Sequence, residues 1–143
     1  MIVDHIGVAV SSLQQGIRDW ETLFGYRQIS PVVENTRQKV RVVFLAKDSS
    51  VPVKLMEPSS PDSPIAQFAR KGGGLHHLCF RCDDLDAAVP SLKQAGARFL
   101  VSPQPGEAFH NHNIAFCLTP GNLNIELIDT NEKVLFPGPG QSL

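Results

Sequence analysis

Val3-Asp4-His5-Ile6-Gly7-Val8-Ala9-Val10 has a counterpart 72 residues further along the chain, Leu75-His76-His77-Leu78-Cys79-Phe80-Arg81-Cys82. Both runs are apolar and rich in β-branched or aromatic residues, the composition of a strand. Each carries a histidine at the same place. The correspondence continues outward without a gap. Leu13, Ile17, Trp20 and Leu23 fall on Leu85, Val89, Leu92 and Ala95, and Val42-Val43-Phe44-Leu45 falls on Ile114-Ala115-Phe116-Cys117. Val51 to Leu55 falls on Leu123 to Leu127. Strict identities are few. The agreement lies in the apolar periodicity of both halves, and that points to a duplicated structural unit.

Each half predicts strand, helix, then three strands. Ser12 in the first half and Asp83 in the second stand where a helix N-cap belongs. Apolar residues follow at helical spacing, and Gly25 and Gly96 are the expected stops. The further strands are expected at about 26–34, 39–47 and 51–58, then at about 97–102, 112–118 and 123–129. Pro58-Ser59-Ser60-Pro61-Asp62-Ser63-Pro64 punctuates the halves, and Ile65 to Lys71 reads as a short helix. Pro90 falls inside the second helix, where it removes a hydrogen bond. The tail after Asp129, with Phe136-Pro137-Gly138-Pro139-Gly140, reads as irregular. The expected fold is α+β: two tandem βαβββ modules forming a curved, cupped mixed sheet around one cavity. The expected layout is a single domain, with module 1 at about 1–58, a linker at 59–73, module 2 at about 74–130 and a tail at 131–143.

Composition agrees with one small globular domain. The chain has 143 residues, of which 42% are hydrophobic and 19% charged, and its formal net charge is −1. It has no basic stripe or polybasic run, so nucleic acid and anionic membrane are not expected partners. No apolar run approaches the roughly 20 residues that span a bilayer, and the first residues do not read as a signal peptide. All three cysteines sit inside apolar runs. They read as buried, reduced thiols, which suits a cytoplasmic protein.

A duplicated curved unit brings equivalent positions opposite one another across its cavity. The first-strand pair is His5 and His77, and the last-strand pair is Lys54 and Glu126. Two imidazoles and a carboxylate suit a divalent metal ion such as Zn, Co, Ni, Mn or Fe. Glu126 lies between Ile125 and Leu127, and a carboxylate in an apolar strand needs a partner because burying it bare is costly. Cys79-x-x-Cys82 is read as core, since residues three apart on a strand face opposite sides. His110 and His112 lie in a loop before a strand, and a loop histidine can close over a substrate. Asp83-Asp84-Leu85-Asp86 is read as acidic residues complementing a helix start.

Asp4 to Val10, Gly74 to Phe80 and Asn124-Ile125-Glu126-Leu127 resemble the vicinal oxygen chelate superfamily. That group includes glyoxalase I, bleomycin-resistance proteins, extradiol dioxygenases and methylmalonyl-CoA epimerase. The stretch from Glu57 to Ala66, followed by Gly74-Leu75-His76-His77, is most similar to the epimerases. The resemblance covers about residues 3–129. It implies a metal-dependent isomerase or lyase working through a metal-stabilised enolate, on a small molecule such as an acyl-CoA or another anion, in a homodimer.

In those epimerases two His, a Gln or Glu late in the first unit and a Glu late in the second bind the metal. His5, His77 and Glu126 match three of these. The remaining position is Lys54, which when protonated has three donors and no lone pair. A base of the family pattern falls near Arg37, with Glu34 three residues earlier. Glu126 and Lys54 are therefore the candidate catalytic groups, and Arg37 and His110 the candidate substrate-binding groups. Lys54 and Arg37 also suit an anion. Lys54 pairing with Glu126 in place of a metal is an alternative. Two other functions are compatible with the same residues. One is a non-haem Fe(II) oxygenase using two His and one carboxylate. The other is a non-catalytic small-molecule-binding or resistance protein.

Overall fold

In a computed structural model describing residues 1–138, the chain runs β1 (Ile2–Ala9), α1 (Leu13–Phe24), β2 (Arg27–Gln28), β3 (Val33–Asn35), β4 (Val40–Ala46) and β5 (Val53–Pro58). It continues with α2 (Ala66–Arg70), β6 (Gly74–Arg81), α3 (Leu85–Gln94), β7 (Arg98–Gly106), a 3₁₀ turn (Glu107–Phe109), β8 (His112–Leu118) and β9 (Asn124–Ile128). The 72-residue offset, the separation of Lys54 from Glu126, carries β1 onto β6 and β4 onto β8 end to end. Pro139 and Gly140 of the tail motif lie outside the described residues.

All strands join one mixed sheet in the order β2-β4-β5-β1-β6-β9-β8-β7, with β3 also on β4. The two first strands, β1 and β6, pair antiparallel at its centre. Each pairs on its other side, in parallel, with the last strand of its own unit: β1 with β5 and β6 with β9. The expected α+β fold is thus observed.

Alternation along the strands decides what faces the helices and what faces the cup. Val43, Leu45, Val53 and Leu55 pack under α1 with Leu13, Ile17 and Trp20. Ala115, Cys117, Ile125 and Leu127 pack under α3 with Leu85, Val89 and Leu92. Their neighbours Val42, Phe44, Met56, Ile114, Phe116 and Ile128 line the inner face. Lys54 and Glu126 have the inward phase, and that alone places two charged groups inside.

The helices are tied to the sheet the same way in both halves. Glu57 Oε2 at the end of β5 accepts the Leu13 N–H at 2.7 Å. Asp129 Oδ2, 72 residues later and just past β9, accepts the Leu85 N–H at 3.0 Å. An anion there satisfies a donor that the helix leaves unpaired and complements its dipole. Ser12 caps α1 as expected. On α3 the cap is Asp84, not Asp83: its Oδ1 accepts from Asp86 and Ala87 N–H. Gly25 ends α1 in the left-handed region at φ 73°. Gly96 follows the C-cap, which is Ala95.

The strand expected at 26–34 is two short ones. Pro31 interrupts it, since proline cannot donate to a ladder. Ser30 Oγ takes over by accepting the Phe44 N–H at 2.7 Å. β7 runs to Gly106, beyond its expected end. The three cysteines are free and buried. Among the described residues no helix is long and apolar enough to cross a membrane.

Candidate functional site

Two β-bulges shape the site. Along the β1–β6 ladder Val3 faces Phe80 and His5 faces Cys79, so Asp4 is an extra residue. Further on Gly7 faces His77 and Val8 faces Leu75, so His76 is extra on the other strand. Such insertions re-aim side chains. Here each puts the residue before a histidine onto the ring of that histidine. Asp4 Oδ2 lies 2.8 Å from His5 Nδ1, and His76 Nδ1 lies 2.9 Å from His77 Nδ1.

Four of the expected residues converge inside the cup. Three nitrogens approach one oxygen, Glu126 Oε2: Lys54 Nζ at 2.7 Å, His77 Nε2 at 2.8 Å and His5 Nε2 at 3.0 Å. His5 and Glu126 are fully enclosed, and His77 and Lys54 nearly so. Phe109 stacks over His5, Phe44 meets it edge-on, and Phe116 meets His77 edge-on. Gly7 leaves the room for His77: a Cβ there would stand 2.1 Å from His77 Cε1.

Electrostatics hold this cluster together. Burial alone would raise the Glu126 carboxyl, but Lys54, His5 and His77 outweigh it and hold the group well below its ordinary range. Burial likewise opposes ionisation of Asp4, yet His5 and Lys133 pull its carboxyl below the usual value. Lys133 Nζ reaches Asp4 Oδ2 at 2.9 Å from the tail. Burial pushes the His77 imidazole down to about 3 against the pull of Glu126. Burial also lowers His76, with Lys54 adding to the effect, so both rings are neutral at pH 7. The two nitrogens of His5 each face a carboxylate.

His5, His77 and Glu126 offer ligand atoms within 4.8 Å of one another, a potential metal-ligand group. Asp4 behind His5 is the kind of carboxylate that orients a ligating imidazole. The fourth place does not fit. An ammonium occupies it, 2.7 Å from the oxygen a metal would use, and it has no lone pair to offer. As a set of four, the residues do not fit the metal centre that the family resemblance implies.

A cavity of about 410 Å³ opens beside this cluster, lined by Gln38, Val40, Met56, Ile65, His76, Val101, Phe116 and Asn124 among others. Gln38 Nε2 and Asn124 Oδ1 are buried without a hydrogen-bond partner among the described residues. A mostly apolar cavity with a few unsatisfied polar groups is the usual form of a small-molecule site. Arg37 sits exposed in the turn between β3 and β4, next to Gln38, and has no ion pair among the described residues. His110 is exposed at φ 53° beside Phe109, and its Nε2–H donates to the Lys133 carbonyl at 3.1 Å. Asp4, His76, Gln38 and Asn124 escaped the sequence reading. The first two are consecutive with ligand-like histidines, which on a regular strand would point them to the opposite face.

A family model described as the glyoxalase/bleomycin resistance protein/dioxygenase superfamily matches residues 4–116. The ethylmalonyl-CoA/methylmalonyl-CoA epimerase of Cereibacter sphaeroides is 30% identical over 132 residues, which cover 91% of this chain and 96% of that protein. The crystal structure of methylmalonyl-CoA epimerase from Mycobacterium tuberculosis superposes with a TM-score of 0.77 at 32% identity, covering 89% of this chain and 86% of the other. A methylmalonyl-CoA epimerase solved in complex with methylmalonyl-CoA and NH4+ gives a TM-score of 0.76 at 28% identity, covering 94% and 97%. The expected kinship with isomerase-class enzymes therefore holds. With a family model matching residues 4–116 and a relative 30% identical over 91% of its length, the chain belongs to the glyoxalase/bleomycin resistance protein/dioxygenase superfamily.

Proposed function

We propose that the protein is an epimerase-like isomerase that moves the proton α to the thioester carbonyl of an acyl-CoA, with a malonyl-type acyl group as in its relatives. The observation that carries this is an apolar cavity with a neutral imidazole, His76, in its wall and an adjoining buried cluster in which a cation, Lys54, is fixed by Glu126. Removing an α proton makes an enolate. Its developing oxygen charge needs a positive or hydrogen-bonding group that is already in place. A divalent metal held by His5, His77 and Glu126 would supply a Lewis acid. Lys54 is the cation this chain itself brings to that place.

The remaining residues take complementary roles in this proposal. His76 lines the cavity, and a neutral imidazole is a competent proton acceptor. Glu126 anchors Lys54. Gln38 and Asn124 offer a donor and an acceptor to polar atoms of the acyl group. Arg37 suits the charge on a carboxylate or phosphate of the substrate, and His110 borders the same side of the cup. One relative is seen in complex with methylmalonyl-CoA, which supports an acyl-CoA substrate here. An iron oxygenase needs open coordination positions, and Lys54 stands at one of them. Homodimerisation and a cytoplasmic location belong to the same proposal.

The test is inversion at the α carbon. A single C2 epimer of methylmalonyl-CoA or ethylmalonyl-CoA, incubated with the protein, is expected to convert to a mixture of both epimers, followed on the intact thioester by its circular dichroism. Tight binding without epimerisation would replace this reading with the non-catalytic binder.

A further inference from the structure

Lys54 and Glu126 occupy equivalent positions of the two units, 72 residues apart, and meet Nζ to Oε2 at 2.7 Å. Their side chains are 5% and 0% exposed, so water does not screen the pair. The ammonium also lies 5.4 Å from the centre of the Phe109 ring, a second favourable contact for a cation. A divalent ion bound by His5, His77 and Glu126 would sit about 2.1 Å from its carboxylate oxygen. That oxygen is Oε2, which both imidazoles and the ammonium already approach. A metal there would bring like charge against Lys54, with one carboxylate to share between them. Glu126 Oε1 and His77 Nε2 have no hydrogen-bond partner among the described residues, so the carboxylate commits a single oxygen, Oε2, to Lys54 and His5, with His77 Nε2 2.8 Å away.

We propose that the Lys54 ammonium is the resident cation of this site and excludes a divalent metal from the His5–His77–Glu126 group. Its further role, donating hydrogen bonds to the enolate oxygen, rests on the function proposed above. The exclusion of metal does not. A single substitution separates the two forms of the site. Replacing Lys54 by a neutral or acidic oxygen ligand removes the competing charge and completes a set of four donors.

The experiment is metal analysis of the full chain produced in zinc- and cobalt-supplemented medium and purified without chelator. Wild-type protein is expected to carry no stoichiometric metal by inductively coupled plasma mass spectrometry, and to show no saturable Co²⁺ or Zn²⁺ binding in calorimetric titration. Lys54→Gln and Lys54→Glu are each expected to bind one ion per chain. The Co²⁺ forms should show visible absorption bands that vanish in the Lys54→Gln/His77→Ala double variant. One bound metal per wild-type chain would overturn the proposal. So would failure of both Lys54 variants to bind metal while they retain wild-type circular dichroism. If neither variant folds, the wild-type titration decides alone. These readouts use no substrate, so they stand or fall separately from the epimerisation assay.

Discussion

A methyl group at Gly7 would lie within 2.4 Å of three atoms of the His77 ring, on a backbone paired directly with His77 in the sheet. Neither can move without breaking the central ladder. Gly7→Ala is therefore expected to cost about 1–3 kcal/mol, the range for overpacking in a close-packed interior, read as a lowered thermal midpoint. An unchanged midpoint would mean that His77 does not occupy this place. His77 itself makes stability depend on pH. Unfolded, it titrates near 6.5; folded, burial holds it down to about 3. Between those values the unfolded chain binds a proton that the native state does not, so stability falls as pH drops below about 6.5. The slope approaches about 1.4 kcal/mol per pH unit. Asp4 and Glu126 act lower. Their native values are depressed, so the stability they bring is present above about 4 and is lost only as pH falls through the folded values. The urea midpoint should thus already fall between pH 7 and pH 5; a flat midpoint over that range would contradict a buried neutral His77. The requirement for glycine at position 7 was not legible in the sequence, because it arises from a ring 70 residues away.

At the scale of elements, the central ladder carries the site through its two bulges. Periodicity in the sequence placed β1 and β6 correctly, and it placed His5 and His77 on their inner face. It could not show that Asp4 and His76 are extra residues in the register, because a strand pattern assumes strict alternation and a bulge breaks it. The consequence is testable. His76→Ala is expected to lower the epimerisation rate on the order of 10²–10⁴-fold, the usual contribution of a general base. The thermal midpoint should move little, because His76 lies at the cavity wall rather than in the core. A rate within a few-fold of wild type would remove His76 from the mechanism. The helix anchors are a second element-scale feature. Glu57→Ala and Asp129→Ala should each cost about 1 kcal/mol, as for a lost helix cap. Because they share no partner, the double variant should lose the sum in chemical denaturation. Strong non-additivity would mean that the two units are coupled through these contacts.

Over the whole molecule, the repeat was the legible feature. A fixed offset of apolar residues was enough to anticipate one mixed sheet and to bring Lys54 against Glu126, since both hold the same inward position in their units. The lining of the expected cavity, the Phe109 cover and the contacts of the tail were not legible. Lys133 reaches Asp4, and the Phe136 N–H reaches the Ile29 carbonyl. These contacts depend on where an irregular chain returns, and no periodicity records that. The break of the strand at Pro31 was missed for a simpler reason: a serine hydroxyl replaced a ladder bond. Together the parts describe a cup with a buried cation, Lys54, and an apolar cavity walled by His76, and the proposed function is proton transfer next to a thioester. The most direct measurement is incorporation of solvent deuterium into methylmalonyl-CoA in D₂O, followed by mass spectrometry of the acyl group. Wild-type protein should introduce one deuteron at the α carbon, and Lys54→Met should slow this at least about 100-fold, the scale of losing one oxyanion donor. No exchange by the wild type, or equal exchange by the Lys54 variant, would contradict the account.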